Sequence, residues 1–240
     1  MSEKGRTAYI TGGASGIGKA IAGMLVSKGA SVFLADLNAE GAEAVATELN
    51  KSDPHNAQST NVDVGDWNSQ AKAFGQAVHA FGRIDYVYPI AGIGERVWTP
   101  NNPTMTSGFE KPDLTVIDLD LTGVMYTVSL AVQQFRRQEP KNGIRGKIGC
   151  VASVCGFYCV PTLPIYTAAK HGINGFVRSF GKYLPEEEIT MNAVVSIQFR
   201  RSRVHPVECI SSLWWHSHQT LSARISQQEH STTAWTRRSS

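Results

Sequence analysis

Residues 7–28 read TAYITGGASGIGKAIAGMLVSK, and the character of the sequence changes twice along this stretch. Its first five residues, Thr7 to Thr11, are rich in β-branched and aromatic types, which is typical of a buried strand. Glycines follow, and the apolar residues between Lys19 and Lys28 then repeat at helical spacing. The stretch therefore predicts a strand, a tight glycine turn and a helix in direct succession.

A glycine turn in this position has the properties of a pyrophosphate site. Gly12 permits the tight turn, Gly16 lets the backbone approach the anion, and Gly18 lets the helix pack close to the strand. The first N–H groups of the helix have no partners within the helix and can bind phosphate oxygens. Glycine triplets also occur in turns that bind nothing, but the placement between strand and helix favours a dinucleotide site formed by Gly12, Ser15, Gly16, Ile17 and Gly18.

The second apolar run, residues 31–36, ends in a carboxylate. Asp36 comes eighteen residues after Gly18, where a second strand would bring it beside the adenosine ribose. There it can accept from both ribose hydroxyls and would repel a 2′-phosphate, for which the uncharged Ser15 offers no cation. These residues predict NAD as the cofactor in preference to NADP. An alternative that is compatible with ribose binding is that Asp36 caps the helix predicted from Leu37 to Asn50.

Strand-like and helical segments alternate along the rest of the chain. The later strands are predicted at 58–64, 83–92, 147–153 and 189–195, with Asp63 and Val64 ending the third strand and Ala91 and Gly92 ending the fourth. Asp63 can accept from an adenine amino group, although exposed aspartates at strand ends are common. Small residues at 91 and 92 allow the backbone to lie against a ligand. Six alternations predict one α/β domain with a single doubly wound parallel sheet, a Rossmann fold with its ligand cleft at the carboxyl ends of the strands.

Two helices have apolar residues at helical spacing, and these predict their buried faces. In the helix predicted from Asp66 to Phe81, the face comprises Trp67, Ala71, Phe74, Val78 and Phe81. In the helix predicted from about Pro112, it comprises Leu114, Ile117, Leu121, Met125, Val128 and Val132. The second face suits either core packing or a contact between subunits.

Tyr166 and Lys170 are the first candidate catalytic residues. If residues 166–183 are helical, a spacing of four puts the phenol and the ammonium on one face, about one turn apart. A nearby positive charge stabilises a phenolate and lowers the pKa of the phenol, which makes it a proton donor and acceptor. Ser153, at the end of the fifth strand, can donate a hydrogen bond to a developing oxyanion. Taken alone, a tyrosine and a lysine four residues apart are more often a surface pair.

Together these motifs resemble the short-chain dehydrogenase/reductase family. The resemblance covers residues 6 to about 195, and it implies that Tyr166 is the catalytic acid and base, that Lys170 holds the nicotinamide ribose, and that Ser153 orients the substrate oxygen. The reaction it implies is reversible hydride transfer between NAD(H) and a small-molecule secondary alcohol or ketone. It also implies a homodimer or homotetramer formed through the helices at 113–138 and 165–184. Within the family, Asp36 and the long loop at 93–111 look most similar to fungal relatives of 15-hydroxyprostaglandin dehydrogenase.

Two departures from the family pattern concern the catalytic region. Pro89 and Ile90 stand where the family has two asparagines, so side-chain amides that brace the central strands are absent. Asp120 stands where the resemblance implies an asparagine whose backbone carbonyl positions a water in a proton relay. Because every residue keeps that carbonyl, Asp120 is retained as a catalytic candidate. Its carboxylate is expected to help keep Lys170 charged, at an unknown cost to the activation of Tyr166.

The sequence changes character after residue 196. Residues 197–240 contain no Gly, Lys or Asp, but six Arg, four of the seven His and three of the five Trp. Their periodicity fits neither a strand nor a helix. We therefore predict an NAD-binding and catalytic domain at 1–196 and an aberrant, poorly ordered tail at 197–240, and we interpret the tail as a lost coding frame. An alternative, a basic aromatic patch that binds nucleic acid or membrane, is disfavoured because the arginines are scattered.

Composition limits the other functions of the chain. The 240 residues carry a net charge of +3, which is too small to indicate a nucleic-acid partner. The polar N-terminus lacks the apolar core of a signal peptide, and no apolar run approaches the roughly 18 residues of a membrane span. Four cysteines without paired spacing favour free thiols over a metal site or disulfides. A cytoplasmic enzyme is predicted; the alternative is a catalytically compromised NAD-binding protein without the family's C-terminal substrate-binding segment.

Overall fold

The computed structural model describes residues 2–51, 56–99 and 108–196. In these residues six strands form one sheet of parallel pairs in the order β3-β2-β1-β4-β5-β6. The strands are β1 Thr7–Thr11, β2 Ser31–Asp36, β3 Ala57–Asn61, β4 Tyr86–Pro89, β5 Gly146–Ser153 and β6 Ile189–Ser196. The predicted tail at 197–240 and the middle of the loop at 93–111 lie outside the described residues.

Helices cover both faces of the sheet, as the doubly wound prediction requires. They are α1 Gly16–Ser27, α2 Ala39–Leu49, α3 Trp67–Phe81, α4 Thr115–Ile117, α5 Gly123–Arg136 and α6 Pro164–Phe180. Buried residues of α1 and α2 pack on one face, and those of α3, α5 and α6 pack on the other. The predicted Rossmann-like parallel sheet is confirmed.

The strand order reverses between β1 and β4, which are neighbours in the sheet but not in the chain. The connections after these two strands leave the carboxyl edge in opposite directions, to α1 on one face and toward α5 on the other. Such a switch point opens a crevice at the carboxyl ends of the strands. The glycine turn after β1 and the residues that follow β4 therefore lie side by side at this edge.

The predicted buried face of α3 was right in part. Phe74 is buried, and Val78 and Phe81 pack against the core, but Trp67 is 38% exposed. The fully buried positions are Gln70, Ala73 and Ala77. The Gln70 amide is satisfied by donating to the carbonyl oxygens of Val64, at 2.6 Å, and Gly123, at 2.8 Å. A polar residue that finds these partners can occupy a core position that a hydrophobicity pattern assigns to solvent.

The buried face of the next helix is also displaced from the prediction. A π-helical turn, Asp118–Thr122, separates α4 from α5 and adds a residue to one turn. Beyond it Val128 and Val132 are buried as predicted, whereas Leu114 before it is exposed and Val116 is buried in its place. A constant spacing of 3.6 residues cannot follow a face across such a turn.

The same helical stretch, Thr115–Arg136, is the one place in the described residues where length and hydropathy reach those of a membrane span. Its mean hydropathy is 1.4, and 44% of the apolar window is buried inside the fold. A helix packed against the core of a globular protein meets the same criterion, and α5 contributes Val128, Ala131 and Phe135 to that core.

The start of α1 packs against the glycine turn at backbone distance. A Cβ atom placed on Gly18 would lie 2.1 Å from the carbonyl oxygen of Gly12, whereas one on Gly23, in the same helix, would meet nothing closer than 3.9 Å. The first position thus excludes any side chain, and the second does not.

We predict opposite effects of alanine at these two glycines. Gly18→Ala should lower the free energy of unfolding by several kcal/mol, because overpacking alone typically costs about 1–3 kcal/mol and here the contact is with backbone. The matched control Gly23→Ala should raise it by about 0.5–1 kcal/mol, since alanine restricts the unfolded chain. Urea denaturation of both variants measures the difference, and equal midpoints would contradict this packing.

Candidate active site

The glycine turn adopts a conformation that needs glycine at two positions. Gly12 has φ of 72° and Gly16 has φ of 52°, both in the left-handed region. A Cβ on Gly12 would lie 2.8 Å from the backbone nitrogen of Ala91, so the turn rests directly on the chain after β4. Gly16 has nothing within 4 Å of such an atom, which leaves open space before the N–H groups of α1. Ser15 and Ile17 are exposed beside that space.

Asp36, at the end of β2, accepts hydrogen bonds through both carboxylate oxygens, one from the glycine turn and one from the start of α2. Oδ2 accepts from the Ala14 N–H at 3.0 Å, and Oδ1 accepts from the Asn38 N–H at 2.9 Å. The N-cap of α2 is Asn38, whose side chain accepts from Gly41, so Asp36 is not the helix cap that the alternative interpretation required. Each carboxylate oxygen retains acceptor capacity for a ribose hydroxyl.

Asp63 and Val64 lie in a turn beyond β3, which ends at Asn61 and is shorter than predicted. The Asp63 N–H donates to Ser69 Oγ at 3.0 Å, and the Asp63 carboxylate accepts from the Gly65 N–H at 2.8 Å. These local bonds divert the chain from the sheet before the predicted strand end. The Asp63 side chain is exposed and Val64 is buried.

A hydroxyl on β1 braces the chain where it leaves β4. Thr11 Oγ1 accepts from the N–H groups of Ile90, at 3.0 Å, and Ala91, at 3.2 Å. We call residues 90–95, which leave β4, the exit segment. Thr11 fixes its first two residues against the glycine turn, and Gly92 follows in the same segment.

Tyr166 and Lys170 share one face of α6. The Lys170 ammonium nitrogen lies 5.2 Å from the centroid of the Tyr166 ring. Lys170 is buried and Tyr166 is half-buried, so the pair is not the exposed surface pair that the spacing alone favoured. Ser153 is buried at the end of β5, where its Oγ accepts from the Cys155 N–H at 3.3 Å.

Asp120 is brought together with Lys170 as a buried ion pair. Lys170 Nζ lies 2.9 Å from Asp120 Oδ2, and the two side chains are 9% and 1% exposed. Asp120 Oδ1 also accepts from the Ile93 N–H of the exit segment at 2.7 Å. A Cβ on Gly92 would lie 2.9 Å from this carboxylate, so the exit segment passes directly over it.

The three cysteines at and after β5 differ in burial. Burial raises the pKa of the Cys150 thiol to about 12, with the Lys170 charge acting in the opposite direction. Cys150 and Cys155 are buried free thiols, whereas Cys159 is an exposed free thiol. In the described parts of the chain, no three His, Cys, Asp or Glu side chains are grouped so that they could hold a metal ion.

Sequence reasoning missed one residue of this region, Glu95. Its carboxylate accepts from the N–H groups of Ile165, at 3.2 Å, and Tyr166, at 2.7 Å, at the start of α6. The available signal was indirect. Leu163 and Pro164 begin the helix without a capping side chain, which indicates that the cap comes from elsewhere in the chain.

We predict a large loss of stability when the buried pair is broken. Asp120→Ala would leave the Lys170 ammonium buried without its partner, which typically costs about 3–5 kcal/mol. The matched control Glu48→Ala removes the partner of exposed Lys19, an ion pair of the same 2.8–2.9 Å length, and should cost less than about 1 kcal/mol. Urea denaturation compares the two. Similar losses would show that the Asp120–Lys170 pair is not protected from water.

Comparison with known proteins supports the family resemblance that the sequence motifs indicate. The family model described as short chain dehydrogenase matches residues 6–201. A short-chain dehydrogenase/reductase, prx4, from Penicillium roqueforti is 32% identical over 192 residues, covering 79% of the chain and 53% of the relative. The 15-hydroxyprostaglandin dehydrogenase [NAD(+)] of Macaca fascicularis is 32% identical over 198 residues, covering 81% of the chain and 68% of the relative.

A solved structure agrees with these sequences. The crystal structure of a levodione reductase matches with a TM-score of 0.69 and 30% identity, over 80% of this chain and 71% of that one. The chain spans about half the length of the Penicillium relative. Because the family model matches continuously from before β1 to beyond β6, the predicted family is confirmed, and the chain belongs to the short-chain dehydrogenase family.

Proposed function

We propose that the chain is an NAD-dependent oxidoreductase that interconverts a secondary alcohol and a ketone, with Tyr166 as acid and base. The observation that carries the proposal is the position of the Lys170 ammonium, 5.2 Å from the Tyr166 ring on a half-buried face of α6. In this role the phenol oxygen of Tyr166 takes the alcohol proton or returns it to the ketone. Ser153 donates a hydrogen bond to the substrate oxygen, and Lys170 stabilises negative charge at the phenol.

The residues at the carboxyl edge fit a dinucleotide. Gly16 leaves open space in front of the α1 N–H groups, where the pyrophosphate would bind between Gly12 and Gly18. Asp36 would hold the adenosine ribose, Asp63 and Val64 the adenine side, and Ala91, Gly92 and Lys170 the nicotinamide side. When bound, NAD supplies the hydride acceptor, and NADH the donor. The Asp36 carboxylate supports NAD over NADP, because it would repel a 2′-phosphate.

The Asp120 carboxylate favours a second candidate, a protein that binds NAD but turns over slowly. Asp120 Oδ2 lies 2.9 Å from Lys170 Nζ and offsets part of the positive charge that would otherwise act on the Tyr166 phenol alone. Binding of cofactor without detectable turnover would support this candidate over the first.

Assembly and location belong to the same proposal. The helical stretch at 115–136 leaves more than half of its apolar window unburied in a single chain, and together with α6 it offers a surface for a homodimer or homotetramer. The free thiols of Cys150 and Cys155 support a reducing compartment such as the cytoplasm. No nucleic-acid or membrane partner is included in the proposal.

Substitution of the tyrosine tests the chemistry. Tyr166→Phe should lower NADH formation from a panel of secondary alcohols by about 100-fold or more, because it removes the proton-transfer group, while NADH affinity stays unchanged. Tyr183→Phe removes the same hydroxyl from an exposed tyrosine and should leave turnover unchanged. If Tyr166→Phe keeps wild-type turnover, the assignment of the acid and base is wrong.

Cofactor preference tests the role of Asp36. The unmodified chain should bind NADH at least about tenfold more tightly than NADPH, a difference of roughly 1.4 kcal/mol. Asp36→Asn should reduce that ratio by removing the charge that repels a 2′-phosphate. Glu40→Gln, which removes an equal charge from an exposed position on α2, should leave the ratio unchanged. Titration calorimetry gives all the affinities, and equal binding of both cofactors by the unmodified chain would contradict the choice of NAD.

A further inference from the structure

The helix that carries Tyr166 and Lys170 begins without a cap of its own. Leu163 occupies the N-cap position and makes no side-chain hydrogen bond, and the first turn contains no acidic residue. Pro164 has no N–H, so the free donors that follow it belong to Ile165 and Tyr166. Tyr166, the proposed acid and base, therefore lies in the least supported turn of its own helix.

Glu95 supplies the missing acceptors from a distant part of the chain. Its two carboxylate oxygens accept from the two free donors separately, Oε1 from Ile165 at 3.2 Å and Oε2 from Tyr166 at 2.7 Å. The residues are 70 and 71 positions apart in sequence. A carboxylate at a helix N-terminus is favoured by the helix dipole as well as by these bonds.

The same short segment also determines the surroundings of Lys170. Two residues before Glu95, the Ile93 N–H donates to Asp120 Oδ1 at 2.7 Å, and Asp120 Oδ2 binds Lys170 Nζ at 2.9 Å. The exit segment is thus connected to Tyr166 through the helix backbone and to Lys170 through the ion pair. Its other end is fixed to Thr11 beside the glycine turn.

From these contacts we propose that Glu95 is a positioning residue for Tyr166, which it holds in a fixed position relative to the exit segment. This inference rests on the proposed function, because it assigns Glu95 a role in the turnover that Tyr166 carries. A residue that only capped α6 could be replaced by any local cap. A positioning residue could not, because a local cap would support the helix without connecting it to the exit segment.

A double-mutant cycle separates these two roles. Leu163→Asp places an acceptor at the N-cap, where it can bind the Tyr166 N–H once Glu95 has been replaced by alanine. Glu95→Ala should lower kcat by about 10- to 100-fold, the scale of a small misplacement of a reacting group, and leave the Kd for NADH within about twofold. In the Leu163→Asp background, Glu95→Ala should still lower kcat by that factor although the melting temperature no longer falls.

The cycle also defines the result that overturns the proposal. If Glu95→Ala has no effect on kcat once Leu163→Asp is present, Glu95 is a replaceable cap and nothing more. Glu43→Ala, an exposed glutamate on α2, is the control for loss of one negative charge and should leave kcat and the melting temperature unchanged.

One measurement does not depend on turnover. Glu95→Ala should speed amide hydrogen exchange at Ile165 and Tyr166, whose N–H groups it leaves without acceptors, and not at the buried core position Ile173. Unchanged exchange at 165 and 166 would show that the hydrogen bonds from these N–H groups to Glu95 do not form in solution, and it would overturn the proposal. If the unmodified chain oxidises no alcohol while exchange responds as expected, the proposed function fails, but the contact between Glu95 and the start of α6 is confirmed.

Discussion

The buried ion pair between Lys170 and Asp120 is the interaction on which the candidate site depends. It joins α6 to the π-helical turn that precedes α5, and the second oxygen of Asp120 binds the exit segment after β4. Two charges removed from water are stable only when their remaining hydrogen-bonding positions are also satisfied. The Ile93 N–H meets part of that requirement. Three elements that are far apart in the chain are therefore held in one arrangement by a single carboxylate.

Close backbone contact is the second constraint, and it connects the ion pair to the glycine turn. A Cβ atom on Gly12 would lie 2.8 Å from the Ala91 nitrogen, so the turn and the start of the exit segment pack with no room for a side chain between them. Thr11 reinforces the contact by accepting from Ile90 and Ala91, at the point where the family has amide side chains. The proposed cofactor edge and the proposed proton-transfer edge thus both contact the exit segment, at Ile90 and Ala91 on one side and at Ile93 on the other.

Much of this could be predicted from the sequence, and the failures have physical causes. The sheet, its six strands and the position of the glycine turn follow from local patterns, because strand and helix periods and the positive φ of Gly12 and Gly16 are properties of short stretches. The buried faces of α3 and of the helical stretch at 115–136 followed only in part, since buried Gln70 has partners outside α3 and a π-helical turn alters the spacing before α5. Glu95 was missed because its partners come 70 residues later, and no local pattern records such a contact.

The proposed chemistry of the site depends on how the Lys170 ammonium interacts with Asp120 on one side and with Tyr166 and the cofactor on the other. An ammonium has three N–H donors, so Lys170 can bind Asp120 and still donate to the hydroxyls of a nicotinamide ribose. The ion pair with Asp120 therefore leaves donors on Lys170 for the proposed function. The charge of the Asp120 carboxylate opposes the proposed activation of Tyr166. The electric field at the phenol oxygen is the sum of the contributions of the Lys170 ammonium and of the carboxylates of Asp120 and Glu95. Where the family resemblance implies an asparagine at position 120, this chain has a carboxylate that binds both Lys170 and the exit segment. If Tyr166 transfers the proton as proposed, its rate would depend on the balance between the ammonium of Lys170 and the carboxylate of Asp120.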